Sequence, residues 1–540
     1  MKKTLLIITL CILSTMLPSC RKDFEEINKN PNGFTSASDG SLFNTVLASM
    51  RYGWNEQLYV NISVLYKQTQ QTALPQVRWN NYTIGTEEIW SNYYTSLPNL
   101  RELERRWASL DTSNHAVLNM MAMEKIVLAF KTFKVTDLFG DIPFSQAGYG
   151  YQDINRLRPA FDSQQSIYQS QLESLAWAAE HIDPSADDVE PYLTFKTFDN
   201  LFMGDLLKWR KFANSLRLRY AIRMYGKEPV LAGRIVQEII GNFKPTFGVN
   251  EFGQLNDNPY TESAVMYPYQ LGYRNESKGW SFNQSKDARL GSTIWQLLSS
   301  NDSADGSGIF DPRAYYFFDT NNDNKWVAYP NNPSPGMQPD GGIPYEYQRD
   351  ALYTLKGNDC HYSPVNYHLV RDLDYIPDIF MTGAEVLYLR AEAYMRGIGV
   401  PKDVGQAGTE FLSGLQYSLN FWSTIMNGSR LPLGNSFSSD ITVPSSVNFI
   451  SVQNNTNYFS VGESQQLDQI YAQCWLDMFM QPQEAFSLAR RTGRTPSDGT
   501  PLSVYRFTIP PTEVSYNEAN WLSAFGSGGD GLLEKVWWMN

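Results

Sequence analysis

Apolar residues recur every three to four positions over long stretches of the chain, a spacing typical of amphipathic α-helices. Residues 117–138 carry such a face between Asn114 and Gly140, and residues 163–182 carry another after Asp162, which we expect to cap it. Further faces of the same kind lie at residues 206–224, 383–396, 411–426, 467–479 and 485–491. Thr382 followed by Glu385 has the sequence of a capping box and predicts the start of one of these helices.

The predicted helices fall into neighbouring pairs, which indicates a mainly α fold with tetratricopeptide-like helix pairs. Two regions interrupt the pattern, residues 243–377 and 428–462, and both are rich in Gly, Pro, Asn and Asp. We expect them to form an irregular, loop-rich, ligand-facing region with a few short strands, because long ordered loops often carry function. The helical scaffold would then cover about residues 40–240 and 378–540 of a single domain over residues 40–540.

The first twenty residues have the features of a targeting segment. Two lysines precede an apolar run that is shorter than the ~20 residues needed to cross a bilayer. The run ends in Leu-Pro-Ser-Cys at residues 17–20, which resembles a bacterial lipobox. We expect a lipoprotein signal peptide over residues 1–19 and a lipidated Cys20 that begins a tether over residues 20–39. A plain secretory peptide is the alternative.

The net charge and the absence of known motifs argue against several classes of partner and enzyme. The formal net charge of −12 argues against a nucleic-acid partner, which would need a basic surface. The sequence has no zinc-protease, serine-hydrolase, dinucleotide-binding or phosphate-loop motif. A glycosidase needs only two carboxylates at no fixed spacing, so this class stays open, with Asp257, Asp287, Asp311 and Glu346 as candidates.

Signals for metal sites and disulfides are weak. Cys360 and His361 have no further ligands at zinc spacing, so we expect structural roles for them. Residues 319–323 resemble the first half of a calcium loop, but Asn324 replaces its glycine and Pro330 replaces its final glutamate. We therefore expect no cofactor and have no support for a structural calcium ion. Pairing of Cys360 with Cys474 stays open.

Aromatic residues beside Asn and Arg in polar segments are the remaining candidates for a binding site. A ring packs on the C–H face of a sugar while amides and guanidinium groups hydrogen-bond its hydroxyls. Burial in the core is the alternative for each ring. The three groups of this kind are Arg78, Trp79, Asn81 and Tyr82; Tyr273, Trp280 and Asn283; and Trp326 and Tyr329.

Five sequence blocks, taken in order, resemble the SusD/RagB family of nutrient-binding outer-membrane lipoproteins of Bacteroidota, particularly its SusD-like branch. The blocks are CRKDFEEINKNPN from residue 20, DLFGDIPF from 137, DLLKWRKFANSLRLR from 205, GAEVLYLRAEAY from 383 and IPPTE from 509. The resemblance covers essentially the whole chain. It implies a helical protein that sits as a lid over a SusC-like TonB-dependent transporter and captures an oligosaccharide or, in some members, a peptide. The acidic residues shortly after Cys20 resemble the surface-export signal of the family.

Together, the residues and the resemblance predict a non-catalytic receptor, anchored by lipid in the outer membrane and exposed at the cell surface. We expect it to bind an oligosaccharide and to deliver it to a SusC-like transporter. A peptide receptor and a surface glycoside hydrolase are the alternatives. Four arginines of the 206–224 helix are expected on a charged outer face, or facing the transporter: Arg210, Arg217, Arg219 and Arg223.

Overall fold

The computed structural model describes residues 37–241, 262–285, 288–334, 336–337, 360–428 and 442–540. The predicted signal peptide and the lipidated Cys20 lie outside these residues, as do the candidate carboxylates Asp257, Asp287 and Glu346. Within the described ranges, no helix combines the length and the apolar character that a membrane span requires.

Helices build most of the described structure, in agreement with the predicted mainly α class. The α-helices of the first half are α1 (Asp39–Ala48), α2 (Tyr66–Thr69), α3 (Tyr82–Trp107), α4 (His115–Phe139), α5 (Gln164–His181), α6 (Tyr192–Phe195), α7 (Leu206–Met224) and α8 (Pro229–Val236). Those of the second half are α9 (Pro268–Leu271), α10 (Glu276–Ser285), α11 (Ser292–Leu298), α12 (Arg313–Phe317), α13 (Tyr367–Arg371), α14 (Gly383–Arg396), α15 (Val404–Asn427), α16 (Phe449–Thr456), α17 (Glu463–Asp477), α18 (Pro482–Thr492), α19 (Pro511–Tyr516) and α20 (Glu518–Phe525).

Short strands and non-α turns complete the fold. Strand β1 (Ile142–Pro143) pairs antiparallel with β2 (Phe161–Asp162), and β3 (Ala264–Met266) pairs antiparallel with β4 (Asp378–Met381). The 3-10 turns are Ile154–Leu157, Pro184–Ala186, Lys196–Phe198, Tyr458–Ser460 and Met478–Met480, and the π-helical segments are Glu56–Leu65 and Gln237–Gly241.

The predicted helix starts agree closely with the structure. Asn114 and Asp205 cap α4 and α7 through their side chains, while Ser163 caps α5 in place of the expected Asp162. Thr382 caps α14 by accepting a hydrogen bond from the Glu385 backbone. The Glu385 carboxylate does not complete the capping box, because it forms an ion pair with Arg219 instead.

Two large apolar clusters hold the helices together. The first is built mainly by α1, α3, α4, α5 and α7, and the C-terminal Val536, Trp538 and Met539 pack into it. The second joins α11, α12, α14, α15 and α17. Neighbouring helices pack in pairs, such as α4 with α5 and α14 with α15. This pairing is the arrangement that the helix spacing predicts.

The two predicted loop regions contain more regular structure than their composition suggests. Residues 243–377 include α9 to α13 and β3, and residues 428–462 include α16 and a 3-10 turn. These elements are short, with five residues in α12 for example, so they leave too few turns for a helical period to emerge from the sequence.

The arginines of α7 correct the expectation of a charged outer face. Arg210, Arg217, Arg219 and Arg223 are all buried, between 2% and 7% exposed. Arg219 pairs with Glu385 at 2.6 Å, and Arg223 pairs with Asp137 and Glu484. Arg217 pairs with Glu238, while Arg210 donates to backbone carbonyls at the end of α5. Because three of these arginines are paired with carboxylates and Arg210 is hydrogen-bonded to carbonyls, α7 is the centre of a largely ion-paired core rather than a docking face.

Helix α3 is the longest element that the apolar pattern did not single out. Its buried positions Ile89, Tyr93, Leu97, Leu100 and Leu103 have helical spacing. Pro98 lies within this run and removes one backbone donor, so the sequence pattern both favours and opposes a helix here.

Candidate functional site

An open groove of about 550 Å³ lies along the first half of α3. One wall comes from α3 itself, and the other comes from Asn55 and the first residues of α19. The described residues that line the groove are Asn55, Thr83, Ile84, Glu87, Glu88, Ser91, Pro511 and Thr512. Ile84 is 46% exposed in the groove, and Trp54, next to Asn55 in the chain, is 38% exposed. The groove therefore combines apolar, amide, hydroxyl and carboxylate groups on one accessible surface.

Glycines bring the segment of Trp54 and Asn55 close to α3. A Cβ on Gly53 would lie 2.3 Å from a carboxylate oxygen of Glu88, and one on Gly85 would lie 2.8 Å from the Asn55 carbonyl. Glu88 also accepts a hydrogen bond of 2.7 Å from the backbone N–H of Glu56. These contacts fix the position of Asn55 relative to α3, so this side of the groove is formed in advance of any ligand.

The first predicted group, at residues 78–82, lies at the N-terminal end of α3 and leads directly into the groove. Asn81 is exposed, and its carbonyl accepts the backbone N–H of Ile84 at 2.9 Å. The half-buried Trp79 packs edge-on against Tyr82, with ring centroids 5.5 Å apart. The Tyr82 hydroxyl lies 3.5 Å from the Thr508 hydroxyl, on the segment that continues into the α19 wall.

The second predicted group lies on α10 and the segment before it, beside the first. Arg78 donates to the Ser285 carbonyl at 3.4 Å, and the Ser281 hydroxyl lies 3.5 Å from the Trp54 carbonyl. The side chains of Trp280 and Asn283, which also belong to this group, lie outside the described residues. The structure thus joins the 78–82 segment to the end of α10 through Arg78, and the middle of α10 to the backbone of Trp54 through Ser281.

Tyr273 has partners that limit its predicted role. Its hydroxyl lies 2.7 Å from an Asp378 carboxylate oxygen, and the Arg51 guanidinium covers one ring face at 4.0 Å from the centroid. Burial raises the pKa of Tyr273, and the Asp378 charge adds to this shift. The side chain therefore donates to the protein, and one of its two faces is not open to a sugar.

The third predicted group does not belong to this surface. Trp326 is 8% exposed and stacks on Trp295 with centroids 5.9 Å apart, inside the second apolar cluster. Tyr329 is 0% exposed and donates its hydroxyl to the Met337 carbonyl at 3.0 Å. The binding role expected of these two rings is inconsistent with their burial, because a ring needs an exposed face to stack on a ligand.

The carboxylates of the groove lack cationic partners. Glu87 accepts a hydrogen bond from the Thr512 hydroxyl, and Glu513 accepts one of 2.8 Å from the Asn517 side chain. None of Glu87, Glu88 and Glu513 forms an ion pair within the described part of the chain. Burial raises the pKa of Glu88 and also that of Glu513, where the charge of Glu87 adds to the shift.

A second, smaller cavity lies between the segment after α1 and β4. Its lining includes Arg51, Lys134, Lys278 and Asp378. Its volume of about 20 Å³ accommodates about one or two water molecules, which is too little for a sugar ring. The groove is therefore the better candidate for a ligand site.

The residues considered for chemistry or metals have structural partners. Asp311 is fully buried and pairs with Arg313 at 2.7 Å. Asn321, in the segment that resembles a calcium loop, accepts the backbone N–H groups of Asp323 and Lys325 at 2.9 Å. Cys360 and Cys474 are both buried, and no disulfide joins them. Within the described ranges, no group of three His, Cys, Asp or Glu residues is arranged to hold a metal.

The groove lining, and Trp54 next to it in the chain, include residues that sequence reasoning did not select. Trp54 and Asn55 satisfy the same rule of an aromatic ring beside an amide, and that signal could have identified them. Glu87 and Glu88 carried no such signal, because their helix was not predicted. Pro511 and Thr512 belong to the IPPTE block, which the resemblance marked without assigning a role.

Comparison with known proteins shows to which of them this chain is related. A family model described as SusD-like, starch-binding and associating with the outer membrane matches residues 31–497. The chain belongs to this SusD-like family. The resemblance proposed from the sequence blocks is therefore confirmed. No protein with curated annotation matches the sequence.

Solved structures of SusD-like proteins share the fold. A Bacteroidetes SusD-like protein, AC2a, has a TM-score of 0.67 at 21% identity, over 93% of this chain and 100% of that one. A chitin-binding protein has a TM-score of 0.66 at 22% identity, over the same shares of the two chains. A chitin-binding SusD homolog from Flavobacterium johnsoniae has a TM-score of 0.62 at 19% identity, over 92% of this chain and 97% of that one.

Proposed function

We propose that this SusD-like protein is a non-catalytic, cell-surface subunit that binds an oligosaccharide and delivers it to a SusC-like TonB-dependent outer-membrane transporter. The family description as starch-binding and outer-membrane associated supports a glycan ligand and this location. Two proteins of similar fold are described as chitin-binding, which also favours a glycan.

The open groove beside α3 is the observation that carries the proposal. Its volume of about 550 Å³ falls in the range of roughly 300–1,000 Å³ that is typical of small-ligand sites. Asn55 and Ser91 in the lining would offer polar groups to the hydroxyls of a sugar. Trp54 precedes Asn55 in the chain and is 38% exposed, so its ring would offer a face for the C–H groups of the same ligand beside the groove. Trp79, Asn81 and Tyr82 would extend this surface at the N-terminal end of α3.

Calorimetric titration with a panel of oligosaccharides and a peptide digest tests the ligand class. We expect heat with at least one oligosaccharide, and Trp54→Ala should weaken that binding by about 0.5–1.5 kcal/mol, the worth of one aromatic contact. Phe459→Ala is the matched control, because Phe459 is 59% exposed outside the groove. Heat with peptides alone would replace the glycan assignment by a peptide receptor.

Incubation of the same oligosaccharides with the protein tests for a hydrolase. We expect the chain length of the sugars to stay unchanged. Product formation that disappears in Glu87→Gln would establish a glycosidase and overturn the non-catalytic assignment.

Lipid anchoring and the transporter partner require experiments in the native bacterium. We expect a clickable fatty acid to label the wild-type protein and not Cys20→Ala, which should leave the membrane fraction. Affinity purification from detergent-solubilised outer membranes should recover a large TonB-dependent barrel together with the protein. Recovery of unlabelled wild-type protein in the periplasm would contradict the anchor.

A further inference from the structure

The small cavity between the segment after α1 and β4 contains a buried amide that has no partner. Gln481, which precedes α18, lines this cavity and is 1% exposed. Neither polar atom of its side chain forms a hydrogen bond within the described part of the chain. Its backbone is held in place, because its N–H donates to the Met478 carbonyl at 2.8 Å and its own carbonyl accepts two N–H groups of α18. A buried polar group without a partner costs about 1–3 kcal/mol, so the orphaned amide indicates a bound group in the cavity.

Lys278 on α10 adds a buried positive charge to the lining. It is 4% exposed, and its ammonium donates to the Pro377 carbonyl at 2.6 Å. An Asp378 carboxylate oxygen lies 3.9 Å away, which is beyond hydrogen-bond distance. Burial lowers the pKa of Lys278, and the charge of Asp378 opposes this shift only in part. Because an ammonium group has three donors, Lys278 can donate to a further acceptor in the cavity.

Arg51 supplies a positive charge that has no counter-ion. Its Nε donates to the Ala48 carbonyl at 3.0 Å, and its guanidinium group covers the Tyr273 ring. Arg51 forms no ion pair in the ranges that the structure describes. The third cation of the lining, Lys134, differs in this respect, since it pairs with Glu56 at 2.6 Å.

The two carboxylates of the lining are matched by other groups. Burial would raise the pKa of Glu484, but Arg219 and Arg223 outweigh it and hold the pKa below its ordinary value. Asp378 is balanced by Lys278 and accepts hydrogen bonds from the Tyr273 hydroxyl at 2.7 Å and the Asn275 amide at 3.0 Å. The charge of the lining that remains without a counter-ion is therefore positive.

We propose that this cavity binds a small monovalent anion, such as chloride, which accepts hydrogen bonds from Lys278 and Gln481 and balances the charge of Arg51. The volume of about 20 Å³ has room for about one or two water molecules, so it admits a halide and one water but no sugar ring. The water would donate to the Gln481 side-chain oxygen. Water alone would satisfy the amide but would leave the charge of Arg51 without a counter-ion.

The proposed site lies where the two apolar clusters meet. Met50 and Phe380 belong to the first cluster, Ile379 and Met480 belong to the second, and all four line the cavity. An anion in the cavity would connect α10 and the start of α18 to the segment after α1. Since it binds only where these elements are assembled, it should stabilise the folded protein.

Thermal unfolding at constant ionic strength tests the site in solution. Sodium gluconate, whose anion is too large for the cavity, is replaced stepwise by sodium chloride or sodium bromide. We expect the melting temperature to rise with either halide and to reach a plateau. Chloride-35 NMR measures binding directly: the chloride signal should broaden in the presence of the protein and narrow again when bromide competes.

Two variants remove the proposed donors with little change in side-chain length: Gln481→Met and Lys278→Met. Each should weaken halide binding by about tenfold or more, the worth of one hydrogen bond to a charged group, and should lose the plateau over the same concentration range. Lys402→Met is the matched control, because it removes the same charge from a position that is 52% exposed and outside the cavity. It should keep the response of the wild type.

Crystals of the wild-type protein grown in sodium bromide locate the ion without relying on the variants. We expect an anomalous peak at the bromine absorption edge within hydrogen-bond distance of Lys278 and Gln481. Water alone at this position would overturn the proposal, and so would a halide response that persists in both variants. Neither result would affect the proposed glycan site, because the cavity and the groove beside α3 share no described lining residue.

Discussion

At the scale of single residues, two tryptophans with similar neighbours in the sequence differ in how far they are exposed. Trp54 and Trp326 both lie in polar sequence near asparagine, yet they are 38% and 8% exposed. The difference arises from contacts distant in sequence, such as the stacking of Trp326 on Trp295. Sequence reasoning selected the 78–82 segment beside the groove and missed Trp54, because burial is set by the tertiary structure.

Trp326→Ala provides a test of this difference. We expect it to destabilise the protein by about 3–5 kcal/mol, since it removes a large ring from a packed cluster. Trp54→Ala should change the unfolding free energy by less than about 1 kcal/mol, because its ring is partly exposed. Denaturant unfolding followed by circular dichroism measures both values, and equal destabilisation by the two variants would contradict the placement of Trp326.

At the scale of elements, the helical period predicted most of the long helices and the residues that cap them. The helical period could not predict which charged side chains of different helices form ion pairs. The arginines of α7 have the spacing of a solvated face, but α4, α14 and α18 supply carboxylates that turn this face into a core. Such pairing depends on which helices become neighbours, and that information is not local in the sequence.

The ion pair between Arg219 and Glu385 should therefore couple α7 to α14. We expect Arg219→Met alone to cost about 3–5 kcal/mol, because it leaves a buried carboxylate without its partner. The double variant Arg219→Met with Glu385→Met should lose clearly less than the sum of the single variants. A double-mutant cycle from urea unfolding measures the coupling, and additive losses would show that the pair does not join the helices.

Glu392 on α14 predicts a dependence of stability on pH. Burial alone would raise its pKa, but Arg491 and Arg396 outweigh burial and hold the pKa below its ordinary value. The stabilisation is therefore present above the unfolded-state pKa of roughly 4.3 and is lost as the pH falls through the lower folded-state value. Glu392→Gln should be less stable than wild type near pH 7, and the difference should narrow in acid.

Thermal melts at a series of pH values test this dependence. Glu463→Gln is the control, because Glu463 is 56% exposed and its pair with Lys402 lies on the surface. A difference between Glu392→Gln and wild type that stays constant down to the acid limit would show that this carboxylate does not titrate with folding.

At the scale of the whole molecule, the C-terminal segment closes the first apolar cluster. Val536, Trp538 and Met539 are buried there, and the Trp538 indole donates to Asp137 at 2.8 Å. Asp137 in turn pairs with Arg223, so the end of the chain is tied to α4 and α7. The sequence predicts the end of a helix near Asp137. It does not predict that Asp137 binds the C-terminal segment, because the two residues of this hydrogen bond are about 400 positions apart in the chain.

Removal of residues 536–540 should consequently affect the first cluster rather than only the surface. We expect the truncated protein to lose at least about 3–5 kcal/mol, the cost of deleting one buried tryptophan, and to melt at a markedly lower temperature. Trp538→Phe should lose less, since it keeps a ring in the cluster but leaves Asp137 without the indole donor. Substitution of Leu533, which is 64% exposed, by serine is the control in the same segment. Unchanged melting of the truncated protein would show that the C-terminal residues do not hold the first cluster together.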